Sequence, residues 1–244
     1  MGKYIKLFNT HVEYENARQN LILPNVSLCT QEAEVHYNPF DPYNGHPYVE
    51  IGGLKWATMN VGATSETDYG LYFQWGDTQG YTASQVGSGE GQKYFGWSDY
   101  KWTEDEGLTF TKYNNTDGKT VLDIEDDAVR ANWGGAWRMP TTEEFQALGN
   151  AVDAVWTTDY NGSGVNGLLC TDKSDSTKTL FFPAAGIADN GSVSYVGDEC
   201  GVKSSSLLIG DVINSLGVYF SDGLVIWGSE SGRCYGVPVR GVVG

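Results

Sequence analysis

The chain has 244 residues with 31 acids against 15 bases, a net charge of −16, and 32 glycines. That charge excludes binding to nucleic acid or an anionic membrane through electrostatics alone, since surfaces for those partners are basic; no run of about 18 apolar residues offers a membrane-spanning helix. Eight Trp, 15 Tyr and 9 Phe can fill a large core, and with so many glycines they predict a turn-rich α+β protein and exclude a helical bundle.

Residues 1–47 read as a separate segment. Met1–Phe8 lacks the apolar core of a secretory signal, and Lys6 stands where myristoylation needs Ser or Thr. Tyr4–Phe8 predicts a strand and His11–Ala17 a short helix capped by Thr10; a Pro/Asn/Gly loop then runs to Pro47. His11, His36 and His46 all fall in this segment, none with a partner at metal-ligand spacing. Cys29, Cys170, Cys200 and Cys234 contain no C-x-x-C pair, which excludes zinc knuckles and dithiol redox motifs. A chain of this size needs no covalent staples. The thiols are expected mostly reduced and buried, with a Cys200–Cys234 bond left open.

From Tyr48 the main domain begins. Tyr48–Ala63 predicts two short strands around a Gly52-Gly53 turn. Residues 79–120 read as a looped, polar insertion pinned by Tyr94, Trp97, Tyr100 and Trp102, and Ile124–Asn132 as a short helix. Trp133-Gly134-Gly135-Ala136-Trp137 is a tight glycine turn between two indoles. Pro140 then ends the preceding structure and Thr141 caps a helix over 142–152, with Glu143 and Glu144 at its positive end. Strands are expected at Trp156–Thr158, Val165–Cys170 and Thr179–Gly186.

Several motifs recur in one order over residues 48–244. They are Gly53-Leu54-Lys55-Trp56-Ala57-Thr58 with Asn60-Val61-Gly62, Tyr69–Gly76, the double-Trp turn, Ser204-Ser205-Ser206, Tyr219-Phe220, Trp227-Gly228-Ser229 and Arg233–Arg240. The set resembles the "major paralogous domain" proteins of gut bacteria and the variable proteins of diversity-generating retroelements in gut phages and bacteria. These are relatives of the formylglycine-generating enzymes. The resemblance implies an α+β, C-type-lectin-like (formylglycine-generating-enzyme-like) fold, with short helices around small antiparallel sheets and much irregular structure. It implies a binding protein and not an enzyme, with no cofactor and no metal, in which Trp133, Trp137, Trp227 and Arg240 belong to the scaffold. The pattern KLFNTHVEYE…LPNVSLC…EVHYNP is similar to an N-terminal module of gut-phage structural proteins. It implies attachment of residues 1–47 to a virion or a sister subunit, and a virion or cell-surface location.

Within the closing stretch, about residues 200–232, the chain departs from that family. Gly201, Val202 and Lys203 stand where it commonly has Tyr-Tyr-Trp, and Leu208, Ile209, Asp211, Val212, Ile213, Asn214, Leu216, Gly217, Leu224 and Ile226 are atypical. These residues are either an apolar strand pair whose Leu and Ile are core, or a displayed, diversified surface. The family's mechanism randomises adenines, so an AAC codon can become Val, Ile, Leu, Asp or Gly but not Lys or Glu; Lys203 and Glu230 need another source codon. On the second reading, Val202, Lys203, the atypical positions from Leu208 to Ile226, and Glu230 form an apolar centre with a polar rim. Its partner is a protein or glycan on a cell surface. A non-diversified cell-surface or fimbrial adhesion module would carry the same frame.

Catalytic alternatives lack their residues. Formylglycine-generating enzymes use a cysteine pair or copper thiolates, which Cys200 and Cys234 do not match. A Ser-His-Asp hydrolase needs a histidine beyond the N-terminal segment and a nucleophile motif. The adjacent acids Asp126-Asp127 and Glu143-Glu144 read as helix caps and not as a glycosidase pair. The EPN, QPD and WND tripeptides of calcium-using lectins are absent.

Overall fold

A computed structural model describes residues 43–244, so the expected strand at 4–8 and helix at 11–17 lie outside the described residues, as do His11, Cys29 and His36. Gly52 and Gly53, at φ +62° and +82°, turn β1 (Tyr48–Ile51) antiparallel onto β2 (Leu54–Asn60). Two adjacent left-handed residues make the tight hairpin turn that glycines adopt without strain. Residues 79–120 hold single 3₁₀ turns and no strand, as expected of an insertion. Tyr100, Trp102 and Tyr113 pin it down, Trp102 and Tyr113 meeting Trp75 edge-on at 6.2 and 5.1 Å.

The single helix expected at Ile124–Asn132 is broken in two. A 3₁₀ turn spans Ile124–Asp126 and α1 spans Ala128–Trp133, because Asp127 is extended and its carboxylate accepts from the Arg130 N–H at 2.9 Å as N-cap. Asp126 is no cap, contrary to the sequence reading; it pairs with lysines. The double-Trp turn forms as read: Gly134 and Gly135 take φ +66° and +59°, and the two indoles meet edge-to-face at 5.3 Å. His46 stacks on Trp133 at 4.1 Å, while Trp137 Nε1 donates to the Tyr43 carbonyl and the Asn44 amide to that of Trp133. The end of the N-terminal segment is thereby docked on this turn. Helix α2 (Thr142–Ala151) starts at a capping box between Thr141 and Glu144, and Arg138 grips the Glu144 carboxylate with two bonds of 2.7 and 2.5 Å. It ends one residue early, where Val152 turns extended.

The remaining strands are β3 (Val152–Thr157), β4 (Gly167–Asp172), β5 (Thr179–Pro183), β6 (Ile187–Asp189), β7 (Ser192–Ser194), β8 (Glu199–Leu207), β9 (Asn214–Ser221), β10 (Leu224–Gly232) and β11 (Arg240–Val243). They form antiparallel meanders β3-β4-β5 and β8-β9-β10, a hairpin β6-β7, and a sheet β1-β2-β11. Few helices among small antiparallel sheets make the fold α+β.

Helix α2 covers one face of β8-β9-β10. The triple serine is its seat: Ser206 Oγ accepts from the Thr142 N–H at 3.0 Å, Ser204 Oγ meets the Thr142 hydroxyl at 3.2 Å, and the Ser205 N–H donates to the Pro140 carbonyl at 2.8 Å. A Cβ on Gly149 would lie 2.6 Å from the Trp227 indole, so only glycine admits this approach. One hydrophobic core lies here, with Trp56, Phe145, Leu168, Phe182 and Phe220; a second gathers Trp75, Trp102, Tyr113, Trp133 and Trp137. Arg240 joins β11 to the rest. Its three nitrogens reach Asn60 Oδ1, the Ala57 carbonyl and the Phe181 carbonyl at 2.9–3.0 Å, with Phe182 under the guanidinium.

Candidate ligand-binding face

Alternation along β8, β9 and β10 decides which side chains face outward. Cys200 and Val202, Val218 and Phe220, Val225 and Trp227 lie on the α2 side, while Gly201, Tyr219 and Ile226 line up across the outer face. A bulge at Gly228 (φ +95°) then shifts the β10 register between Trp227 and Ser229.

A pocket of about 200 Å³ opens in this outer face, with Gly201, Gly217 and Gly232 among its lining residues. Tyr219 and Tyr235 help wall it, Ile187, Ser229, Ser231 and Glu230 also line it, and Lys203 is among its lining residues. Tyr219 is held upright by its hydroxyl, which donates to the Glu199 carboxylate. Of the twelve exposed large hydrophobic residues described, seven lie between Tyr195 and Tyr235 in the chain, among them Tyr235 in the pocket wall and Ile226 opposite Tyr219.

The structure divides the residues expected at the surface into three groups. Ile209, Ile213, Leu224, Ile226 and Glu230 are exposed. Leu208, Asp211, Val212, Asn214 and Leu216 are half-buried. Val202, Lys203 and Gly217 are buried, a correction to the expected surface. Val202 faces α2. Lys203 lies beside the chain segment 236–239, its N–H bonded to the Pro238 carbonyl at 3.3 Å. Gly217 is closed in by β8, where an added Cβ would come within 2.3 Å of the Val202 carbonyl.

The exposed and half-buried residues also occupy two places. Residues 208–213 form the β8–β9 loop, and Asn214 opens β9. There Asp211 accepts from the Ile213 N–H at 3.2 Å and the Asn214 amide at 3.0 Å, so both polar side chains shape the loop itself. Arg233 fastens the loop through the Val212 carbonyl at 2.9 Å. Leu224 and Ile226 instead flank the pocket, Ile226 directly opposite Tyr219. Tyr219 and Tyr235 were read as frame, yet they are pocket walls. The alternation of β9, with Phe220 inward, was the available signal.

Two other groups of reactive side chains occur among the described residues, the buried thiols and an acidic cluster. Cys170, Cys200 and Cys234 are free and buried, and burial pushes each thiol up to about 12, away from the thiolate that redox or nucleophilic chemistry needs. Asp123, Glu125 and Asp126 bring carboxylates together, but ammonium groups fill the space between them. Lys112 lies 2.8 Å from Asp123 and 2.5 Å from Asp126, Lys101 lies 3.1 Å from Asp126, and Lys119 pairs with Asp123. Lys112 and Lys119 hold the Asp123 carboxyl down at about 2. The cluster is a self-neutralised ion-pair network and offers no vacancy for a cation.

No protein-family model, curated protein or solved structure matches the chain.

Proposed function

We propose that the chain is a ligand- or receptor-binding protein whose frame is C-type-lectin-like and whose site is the outer face of β8-β9-β10. The observation that carries this reading is the exposure of Leu224 and Ile226 on the outer face of the sheet, beside a pocket that exposed Tyr235 lines, while the other face is fixed against α2. Apolar side chains held in water on a rigid support lower the free energy of any complex that covers them. A standard protein interface takes about 800 Å² from each partner, so a protein ligand would cover the 208–213 loop as well as this face. In the diversified form of the reading, the protein sits at a phage tail or another surface and residues 1–47 attach it there.

Binding to gut-bacterial cells and to a glycan array is to be compared between the full chain and its Leu224→Asp/Ile226→Asp variant. Loss of binding with melting shifted by no more than a few degrees is expected; undiminished binding refutes the assignment. Diversification is tested at the gene: a near-repeat of the 3′ end that differs only at adenines, beside a reverse-transcriptase gene, is the expected finding.

A further inference from the structure

Lys203 is 1% exposed. Its Nζ donates to the Gly232 carbonyl at 3.1 Å and reaches Ser215 Oγ only at 3.4 Å. Both acceptors are neutral, and among the described residues no carboxylate pairs with it. The titratable or charged groups that face it are Arg233 and Cys234 behind, with Glu230, Tyr219 and Tyr235 around the pocket. Arg233 is itself buried and bonded only to a hydroxyl and backbone carbonyls. Two buried cations therefore lie together in a protein whose net charge is −16. Proteins rarely leave a buried ammonium without an anion, because desolvating it is costly. Lys203 lies opposite Gly217 on the outer face and lines the pocket there.

We propose that the pocket takes a carboxylate, carried by a ligand about the size of one six-membered ring, which supplies the anion that Lys203 lacks. An apolar cavity of ~150 Å³ holds benzene, so about 200 Å³ admits a ring and its carboxylate. Tyr219 and Tyr235 offer faces for the ring; Ser229 and Ser231 offer hydroxyls at the mouth. Burial brings the Lys203 amine down to about 7, with Arg233 adding to the effect. The carboxylate binds the protonated form, so affinity is greatest below pH 7 and falls as the amine loses its proton.

The inference names the ligand chemistry of the face proposed above and rests on that reading. It is tested by calorimetric titration of the full chain with benzoate, D-glucuronate and N-acetyl-L-glutamate, standing for aromatic, sugar and peptide sources, with benzamide as the uncharged control. Saturable binding of at least one acid is expected, weakening about 30-fold from pH 6.0 to 8.5. Benzamide should bind at least tenfold more weakly, and Lys203→Met should abolish binding. The proposal is overturned by no saturable binding of any acid at 20 mM, by pH-independent binding, or by undiminished binding to a Lys203→Met protein with native circular dichroism. Should Lys203→Met fail to fold, equal affinity of the unsubstituted chain for benzoate and benzamide overturns the proposal. If the acids fail while Leu224→Asp/Ile226→Asp still loses cell binding, the face stands and the carboxylate assignment falls.

Discussion

Arg233 and Lys203 are neighbouring cations at similar depth, and their surroundings differ completely. The Arg233 guanidinium donates to the Tyr100 hydroxyl and to the carbonyls of Lys112, Tyr113 and Val212 at 2.8–3.0 Å, with its Cζ 4.3 Å from the Phe110 ring centroid and 4.9 Å from that of Trp75. A planar fork of donors matches several loop carbonyls at once. Lys203 has two neutral acceptors and a pocket. Depth alone therefore does not separate frame from site in this molecule. Completeness of hydrogen bonding does: the frame around Arg233 is saturated, and the sheet over Lys203 is left with capacity for something from outside.

The sharpest way to break this contrast is Arg233→Met. It strands three carbonyls and a hydroxyl in the second core, and a cost of about 3–5 kcal/mol is expected in urea unfolding, as for other broken buried networks. Arg233→Lys should recover little, since one ammonium cannot span those acceptors. Gly217→Ala comes next. The new methyl lands 2.3 Å from the Val202 carbonyl, a backbone atom that cannot swing aside, so a loss of about 1–3 kcal/mol is expected. Free tolerance of alanine there would restore Gly217 to the set of replaceable surface positions.

Lys203→Met works in the opposite direction. Exchange of an unpaired buried amine for an apolar chain of similar length should raise stability by about 1–2 kcal/mol at pH 7. The amine sits near 7 in the folded protein and near its ordinary, higher value when unfolded. Between those values the unfolded chain holds the extra proton, so wild-type stability rises with pH there. The burial penalty is complete below pH 7, and the gap to the variant should narrow between pH 7 and 9, by at most about 1.4 kcal/mol per unit. A gap constant with pH would show that Lys203 is not strained by burial. The smallest effect is expected from Ile226→Ala, which should change unfolding by no more than about 0.5 kcal/mol because the side chain already faces water.

Features set by neighbours in the chain were legible in the sequence. Gly52-Gly53, the Thr141–Glu144 box and the Gly134-Gly135 turn each form as their local chemistry dictates. Asp127 was legible as a cap but not as the break it makes between the 3₁₀ turn and α1. The failures at the site have one cause. Val202 and Lys203 are covered by α2 and by residues 236–239, elements far along the chain whose placement no local pattern announces, and the Gly228 bulge disturbs the alternation that would otherwise sort β10. The polar residues Asp211 and Asn214 suggested a rim because their composition fits one; the structure shows them occupied with each other. Tyr219 and Tyr235 escaped notice because an aromatic wall and an aromatic strut are the same residue type.

In the sheet order β1-β2-β11, the strand that opens the described domain and the strand that closes it flank a single central strand. Both flanking strands run antiparallel to β2 and so parallel to each other; the chain enters β1 at one end of this sheet and leaves β11 at the other. The sheet is therefore complete only once two segments far apart in the sequence have met on β2, and pairing of such high sequence separation is slow to form. Closure of this sheet is expected late in folding, after the local hairpin of β1 and β2.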